Sequence, residues 1–135
     1  MSDNKAFALA VRVYFQDTDA GGVVYHASYV NFMERARTEW LRTYGYSNAG
    51  LMKEFGVIFV VRSLKLDYLK PALLDDLLSV TAQIKDIGRS RITLQQRVMR
   101  GDEVLTEAEV HLVCVSLEGF KPVSVPEVLR VQWKI

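Results

Sequence analysis

The chain has 135 residues, half of them hydrophobic and 24% charged, which fits one globular domain spanning 1–135. Seventeen Lys and Arg against sixteen Asp and Glu leave a formal net charge of +1, so bulk charge favours neither nucleic acid nor an anionic membrane as a partner. With Cys114 as the single cysteine, no intramolecular disulfide can form, and the expectation is a reducing, cytoplasmic setting. The N-terminal segment does not read as a signal peptide, because its early apolar stretch carries Arg12. No apolar run reaches the ~18 residues of a membrane span, so no membrane insertion is expected.

The first element is a strand. Phe7, Leu9, Val11, Val13 and Phe15 alternate with polar or small residues, which puts them on one face over 7–15. A loop over 16–27 follows, with two carboxylates (Asp17, Asp19), Gly21-Gly22 and His26. The period then changes. Tyr29, Met33, Ala36, Trp40 and Tyr44 recur at steps of three or four, which predicts an amphipathic helix over 28–44. Arg35 and Glu39 are spaced as an i, i+4 pair. Gly45 ends this helix, and a shorter one is expected over 48–54 before Gly56.

The rest reads as strands. Residues 57–68, 77–87, 91–100 and 104–117 alternate or run apolar between turn signals at Pro71, at 88–90 and at 101–103. The second half of 104–117 is apolar on both faces and so belongs in the middle of a sheet. Pro122 and Pro126 mark an irregular exit, with a last short strand expected near 128–133. One helix and a run of antiparallel strands pack most simply as an α+β fold in which a curved sheet wraps the helix. Unpaired sheet edges then point to dimerisation.

Few residues carry reactive chemistry. His111 and Cys114 stand three apart on a strand and face opposite ways, so a metal site or a Cys-His dyad is not expected. Neither GxGxxG nor a P-loop occurs, so no nucleotide cofactor is implied. The opening loop has two readings. Asp-x-Asp with two glycines makes a turn and helix cap. It also sets a carboxylate base or nucleophile ahead of a helix N-terminus, whose free N–H groups attract developing negative charge.

The segment DTDAGGVVYHASYVNFMERARTEWL (17–41) resembles the opening motif of the 4-hydroxybenzoyl-CoA thioesterase family of hotdog-fold enzymes. Within that family it is similar to the bacterial Tol-Pal-associated acyl-CoA thioesterases. The resemblance continues through FVVRSLKLDYLKPALLDDLL (59–78) and LTEAEVHLVCVSLEGFKPVSVP (105–126). It implies a hotdog fold, one long helix wrapped by a five-stranded antiparallel sheet. It implies a homodimer or homotetramer with sites at subunit interfaces, acyl-CoA as substrate and acyl carrier protein as a further partner. It makes Asp19 the catalytic carboxylate, gives the His26 backbone N–H the polarisation of the thioester carbonyl, leaves Asp17 to hold the loop, and with Asp19 in that role makes Glu34 a helix-surface or interface charge paired with Arg37. Tyr25, Phe59, Val60 and Val61 are implied to contact substrate, and Arg89 and Arg91 the phosphates of CoA. No metal or cofactor is part of this picture. Two other activities fit the same fold: an enoyl thioester hydratase, and a non-catalytic module binding acyl carrier protein or envelope proteins. The six residues between Asp19 and His26 do not match the Asp-x(4)-His spacing of the hydratases.

Overall fold

A computed structural model describes residues 6–133. The elements run β1 (Phe7–Arg12), α1 (His26–Arg42), α2 (Asn48–Phe55), β2 (Val57–Tyr68), β3 (Leu77–Ile87), β4 (Arg91–Arg100), β5 (Glu103–Ser116) and α3 (Glu127–Trp133). The five strands form one antiparallel sheet in the order β1-β3-β4-β5-β2. Helix α1 lies across the concave face and presents Tyr29, Phe32, Met33, Ala36, Trp40 and Leu41 to it. The sheet answers with alternate residues such as Val80, Ile92, Leu94, Val98, Val110 and Cys114, which are almost fully buried. This is the α+β, helix-in-sheet arrangement that the residue periods lead one to expect.

Three local departures have physical causes. Phe15 does not continue the face of β1, because the chain leaves the strand after Arg12 and turns through a 3-10 turn at Phe15–Asp17. Phe15 is therefore 81% exposed. The segment near 128–133 is a helix rather than a strand. Pro126 supplies the carbonyl that takes the N–H groups of Leu129 (3.0 Å) and Arg130 (3.1 Å). Leu129 and Trp133, one helical turn apart, are buried, while the β-branched Val128 and Val131 face outward. A helix this short has no stability of its own. It is held by Trp133, which stacks on Trp40 at 5.2 Å between ring centroids. Finally, the pairing of Arg35 with Glu39 is replaced by Arg42 with Glu39, at 3.5 Å and exposed, which contributes little.

Strand β5 lies inside the sheet, between β4 and β2, as its apolar second half requires. Leu112 to Val115 are all buried, and where the pairing with β4 stops at Val113 the segment after β5 folds back along the open strand edge, with Val115 bridging Pro122 and the Val123 N–H donating to the Cys114 carbonyl at 2.9 Å. Burial pushes the Cys114 thiol up to about 11, which makes it a core residue rather than a nucleophile. Strand β2 is a long outer edge. Its register slips between Val61 and Ser63, so Arg62 is a bulge residue.

Candidate active site

Residues 18–24 fold as a miniature hairpin. Thr18 and Val24 form its bridge, the Asp19 N–H donates to the Val23 carbonyl (2.9 Å), and the Gly22 N–H closes back on the Asp19 carbonyl (3.1 Å). Gly22 has φ +80°, a conformation that a side chain opposes, so glycine is needed here for the turn itself. Asp19 stands at the tip and is exposed. Its Oδ1 accepts from the Gly21 N–H at 2.9 Å, which orients the carboxylate, and its Oδ2 has no hydrogen-bond partner among the described residues.

Asp17 is built differently. It is buried, and its Oδ2 accepts from the Tyr14 N–H at 2.8 Å. Its carbonyl receives the Tyr25 N–H (2.8 Å) and the Ser28 hydroxyl (3.2 Å). Asp17 thus ties the end of β1 to the entrance of α1, and its carboxylate is turned inward to the backbone. The two acids of one motif have separate environments.

The hairpin is seated on residues 71–76. Val23 bridges Leu73, the Val24 N–H donates to the Ala72 carbonyl (2.9 Å), and the Leu74 N–H donates to the Gly22 carbonyl (3.2 Å). This seat is in turn fixed by Arg100, which contacts Asp76 and Glu103, each at 2.8 Å, while Lys70 holds Glu103 at 2.7 Å. A site on a surface loop is rigid only when such a seat supports it.

Helix α1 begins at His26, after Tyr25 in extended backbone at φ −68° and ψ 143°, with no side chain capping it. The His26 N–H has no acceptor among the described residues. It is an orphan donor at the positive end of the helix dipole. The His26 imidazole instead packs edge-on against Tyr68 at 5.0 Å, and the Tyr68 hydroxyl donates to the His26 carbonyl at 3.2 Å. Tyr25, half exposed, flanks it at 6.1 Å between rings.

A groove of about 180 Å³ opens further along α1, between that helix and β2. Phe59 and Val61 line it with Trp40, Leu41, Ile92 and Leu112. Val60 is not among its lining residues, because alternate residues of a strand face opposite sides. The polar members are Glu34, Arg37, Thr38 and Asn48. Glu34 does not form the expected pair with Arg37. Its carboxylate accepts from the Thr38 hydroxyl at 2.9 Å, while Arg37 Nη1 donates to Gln96 Oε1 at 3.0 Å.

Arg89 and Arg91 are not brought together. Arg89 lies in the turn and opens onto a surface cavity of about 420 Å³ with Ser124, Glu127 and Arg130. Arg91 starts β4 and points to the other side, into a cavity of about 440 Å³ shared with Arg62, Asp86 and His111. His111 is engaged by Glu109 (3.0 Å) and Thr93 (3.1 Å), on the face of β5 opposite Cys114. Sequence reading missed Tyr68, Arg37 and Arg62. Only the bulge at Arg62 and the long-range contact of residue 68 with residue 26 give them their positions.

A carboxylate with a free oxygen and an uncapped helix entrance in one segment are the two parts that acyl transfer calls for, a base or nucleophile and an oxyanion donor. Family comparison gives the same class: residues 13–133 match the Thioesterase-like superfamily, and the chain belongs to that superfamily. It is 46% identical over 130 residues to a Haemophilus influenzae protein named acyl-CoA thioesterase YbgC, covering 96% of this chain and 95% of that one. The acyl-CoA thioester hydrolase YbgC of Escherichia coli O6:H1 is 46% identical over 129 residues, covering 95% and 96%. Among solved structures, a probable thioesterase from Bartonella henselae superimposes with a TM-score of 0.86 at 34% identity, covering 90% of this chain and all (100%) of that one.

Proposed function

We propose that the protein is an acyl-CoA thioesterase, a single cytoplasmic domain that hydrolyses the thioester to a free acid and CoA. The observation that carries this reading is that the segment from Asp17 to His26 offers both a carboxylate oxygen without a partner, Asp19 Oδ2, and a main-chain donor without an acceptor, the His26 N–H at the entrance of α1. The carbonyl oxygen of the thioester accepts from that N–H, and negative charge grows there as the carbonyl carbon becomes tetrahedral. Asp19 either takes a proton from the attacking water or attacks the carbon itself; in both cases the C–S bond breaks and the thiolate leaves with little help. Overall a C–O bond replaces the C–S bond, and water supplies the oxygen. The relatives named acyl-CoA thioesterase, alike over nearly their whole length, support the substrate class.

The outer edge at β2 supports a dimer on this reading. Two copies joined antiparallel along β2 set the Tyr68 end of one strand beside the Val57 end of the other. Since Tyr68 touches His26 and Phe59 lines the groove, each helix entrance then faces the groove of the other protomer. The site is complete only in a homodimer or a tetramer built from it. Tyr25, Val60, Arg89 and Arg91 are assigned to the substrate on this reading, the arginines to the phosphates of CoA. Acyl carrier protein, which carries the same thioester, is the second partner.

The test is Asp19→Asn, assayed by thiol release across acyl-CoAs from C2 to C18 and 4-hydroxybenzoyl-CoA. Loss of a general base costs about 10²–10⁴-fold, and at least a hundredfold fall in kcat/KM is expected. Unchanged hydrolysis by Asp19→Asn, or hydration of crotonyl-CoA without thiol release by the unmodified enzyme, overturns the assignment.

A further inference from the structure

The groove between α1 and β2 is apolar on its sheet side, where Phe59, Ile92 and Leu112 lie, yet it contains a guanidinium. Arg37 is only partly exposed, and no carboxylate lies within ion-pair distance of it among the described residues. Burial pulls its pKa down from the ordinary range, an effect that the negative charge of Glu34 partly opposes. Of the five N–H donors of an arginine, one is committed, to Gln96 Oε1 at 3.0 Å. Gln96 is completely buried and fully engaged: its Nε2 donates to the carbonyls of Met33 (3.0 Å) and Thr81 (3.2 Å). Arg37 is therefore fixed by a satisfied network, while most of its donors point to no protein acceptor. A partly buried charge held in this way lacks its counterpart. Glu34 influences that charge only from beyond ion-pair distance, one of its oxygens accepting from the Thr38 hydroxyl.

We propose that Arg37 is a specificity-determining residue that receives an oxygen at the far end of the acyl group. The preferred substrates are acyl-CoAs whose chain ends in a hydroxyl or carboxylate oxygen rather than in a methyl group. This inference rests on the thioesterase reading and on the groove as the acyl site. The hydrocarbon part of the chain lies against Phe59, Ile92 and Leu112. The terminal oxygen accepts from the free guanidinium N–H groups, so an acyl group that lacks it leaves those donors dry and unpaired.

The experiment compares acyl-CoAs of equal length that end in methyl, hydroxyl or carboxylate, by thiol release, in the unmodified enzyme, Arg37→Met and Arg37→Lys. At least about a tenfold higher kcat/KM for an oxygen-ended series is expected in the unmodified enzyme, the size of one charge-assisted hydrogen bond. Arg37→Met should bring the ratio towards one, and Arg37→Lys should keep part of it. Hydrolysis of all series with no oxygen preference, or a preference that survives in Arg37→Met, overturns this inference and leaves the thioesterase reading standing. If no series releases thiol, the thioesterase reading falls and this inference with it. The ratio in the unmodified enzyme and in Arg37→Lys decides the matter even if Arg37→Met does not fold.

Discussion

The backbone N–H of His26 can be removed without removing the helix. His26 is the first residue of α1, a position where proline is favoured because its missing N–H has no intrahelical partner and its φ suits a helix. The residue before a proline must be extended, and Tyr25 already is, at φ −68° and ψ 143°. His26→Pro therefore deletes one donor and leaves the His26 carbonyl to receive the Tyr68 hydroxyl. The substitution also deletes the imidazole and its edge-on contact with Tyr68, worth about 0.5–1.5 kcal/mol of stability. His26→Ala loses the same ring and keeps the N–H, so the difference between the two variants isolates the donor. Loss of one oxyanion donor costs about 10²–10³ in kcat, or about 2.7–4 kcal/mol of transition-state stabilisation. The expected result is a fall of that size in kcat for His26→Pro relative to His26→Ala, with melting temperatures within a few degrees of each other. Thiol release under saturating acyl-CoA and a thermal melt supply both readings. If His26→Pro stays within a few-fold of His26→Ala, the helix entrance does not hold the oxyanion. If His26→Ala loses as much as His26→Pro, the imidazole is the operative group.

Two further outcomes separate loop integrity from chemistry. Asp17→Ala strands the Tyr14 N–H at the base of the hairpin and should destabilise the fold by about 1–3 kcal/mol, read in urea melts, whereas Asp17→Asn, which keeps an acceptor, should recover most of that. The surface carboxylates set the response to acid. Lys70 first and Arg100 second hold Glu103 below the usual carboxylate range, and Lys85 and then His111 do so for Glu109. A depressed folded-state pKa means that the unfolded chain takes up the proton first as pH falls. The stability from these pairs is complete above the ordinary value of 4.5 and is lost as pH drops through the lower folded-state values. Urea midpoints at a series of pH values should fall below about pH 4.5, and less steeply in Glu103→Gln and in high salt, since the pairs are exposed and screened.

What could be read from the sequence was whatever depends on period. Alternation located β3 through β5, because one face of each is buried and a slip of one residue would invert it, while β2, where only Val57 is buried, was marked by its β-branched apolar start. The step of three and four located α1 but under-read its width, since Phe32 and Leu41 also reach the core. Period failed where other forces decided. Val128 and Val131 suggest a strand, yet the packing of Leu129 and Trp133 imposes a helix. The motif at 17–26 pointed to a candidate site by resemblance, but no local rule foretold that Asp17 would be buried and Asp19 exposed. That division comes from a hairpin only seven residues long and from its seat on 71–76, far away in the chain. Arg89 and Arg91 looked alike as neighbours of one turn. The start of β4 at Arg91 sends them to different sides of the sheet.

The hairpin tip also bears on how this protein can change over time. Asp19 stands outside the packed interior, on a turn closed by main-chain bonds and by Gly22. An exchange at position 19 leaves those bonds in place, so with Asp19 in the proposed catalytic role it alters turnover long before it alters how much folded protein a cell retains. Asp17 has the opposite character, since its loss lowers folded abundance whatever the substrate. Two acids one residue apart are thus exposed to different kinds of selection: one can drift towards new chemistry on an intact scaffold, and the other must stay for the scaffold to persist.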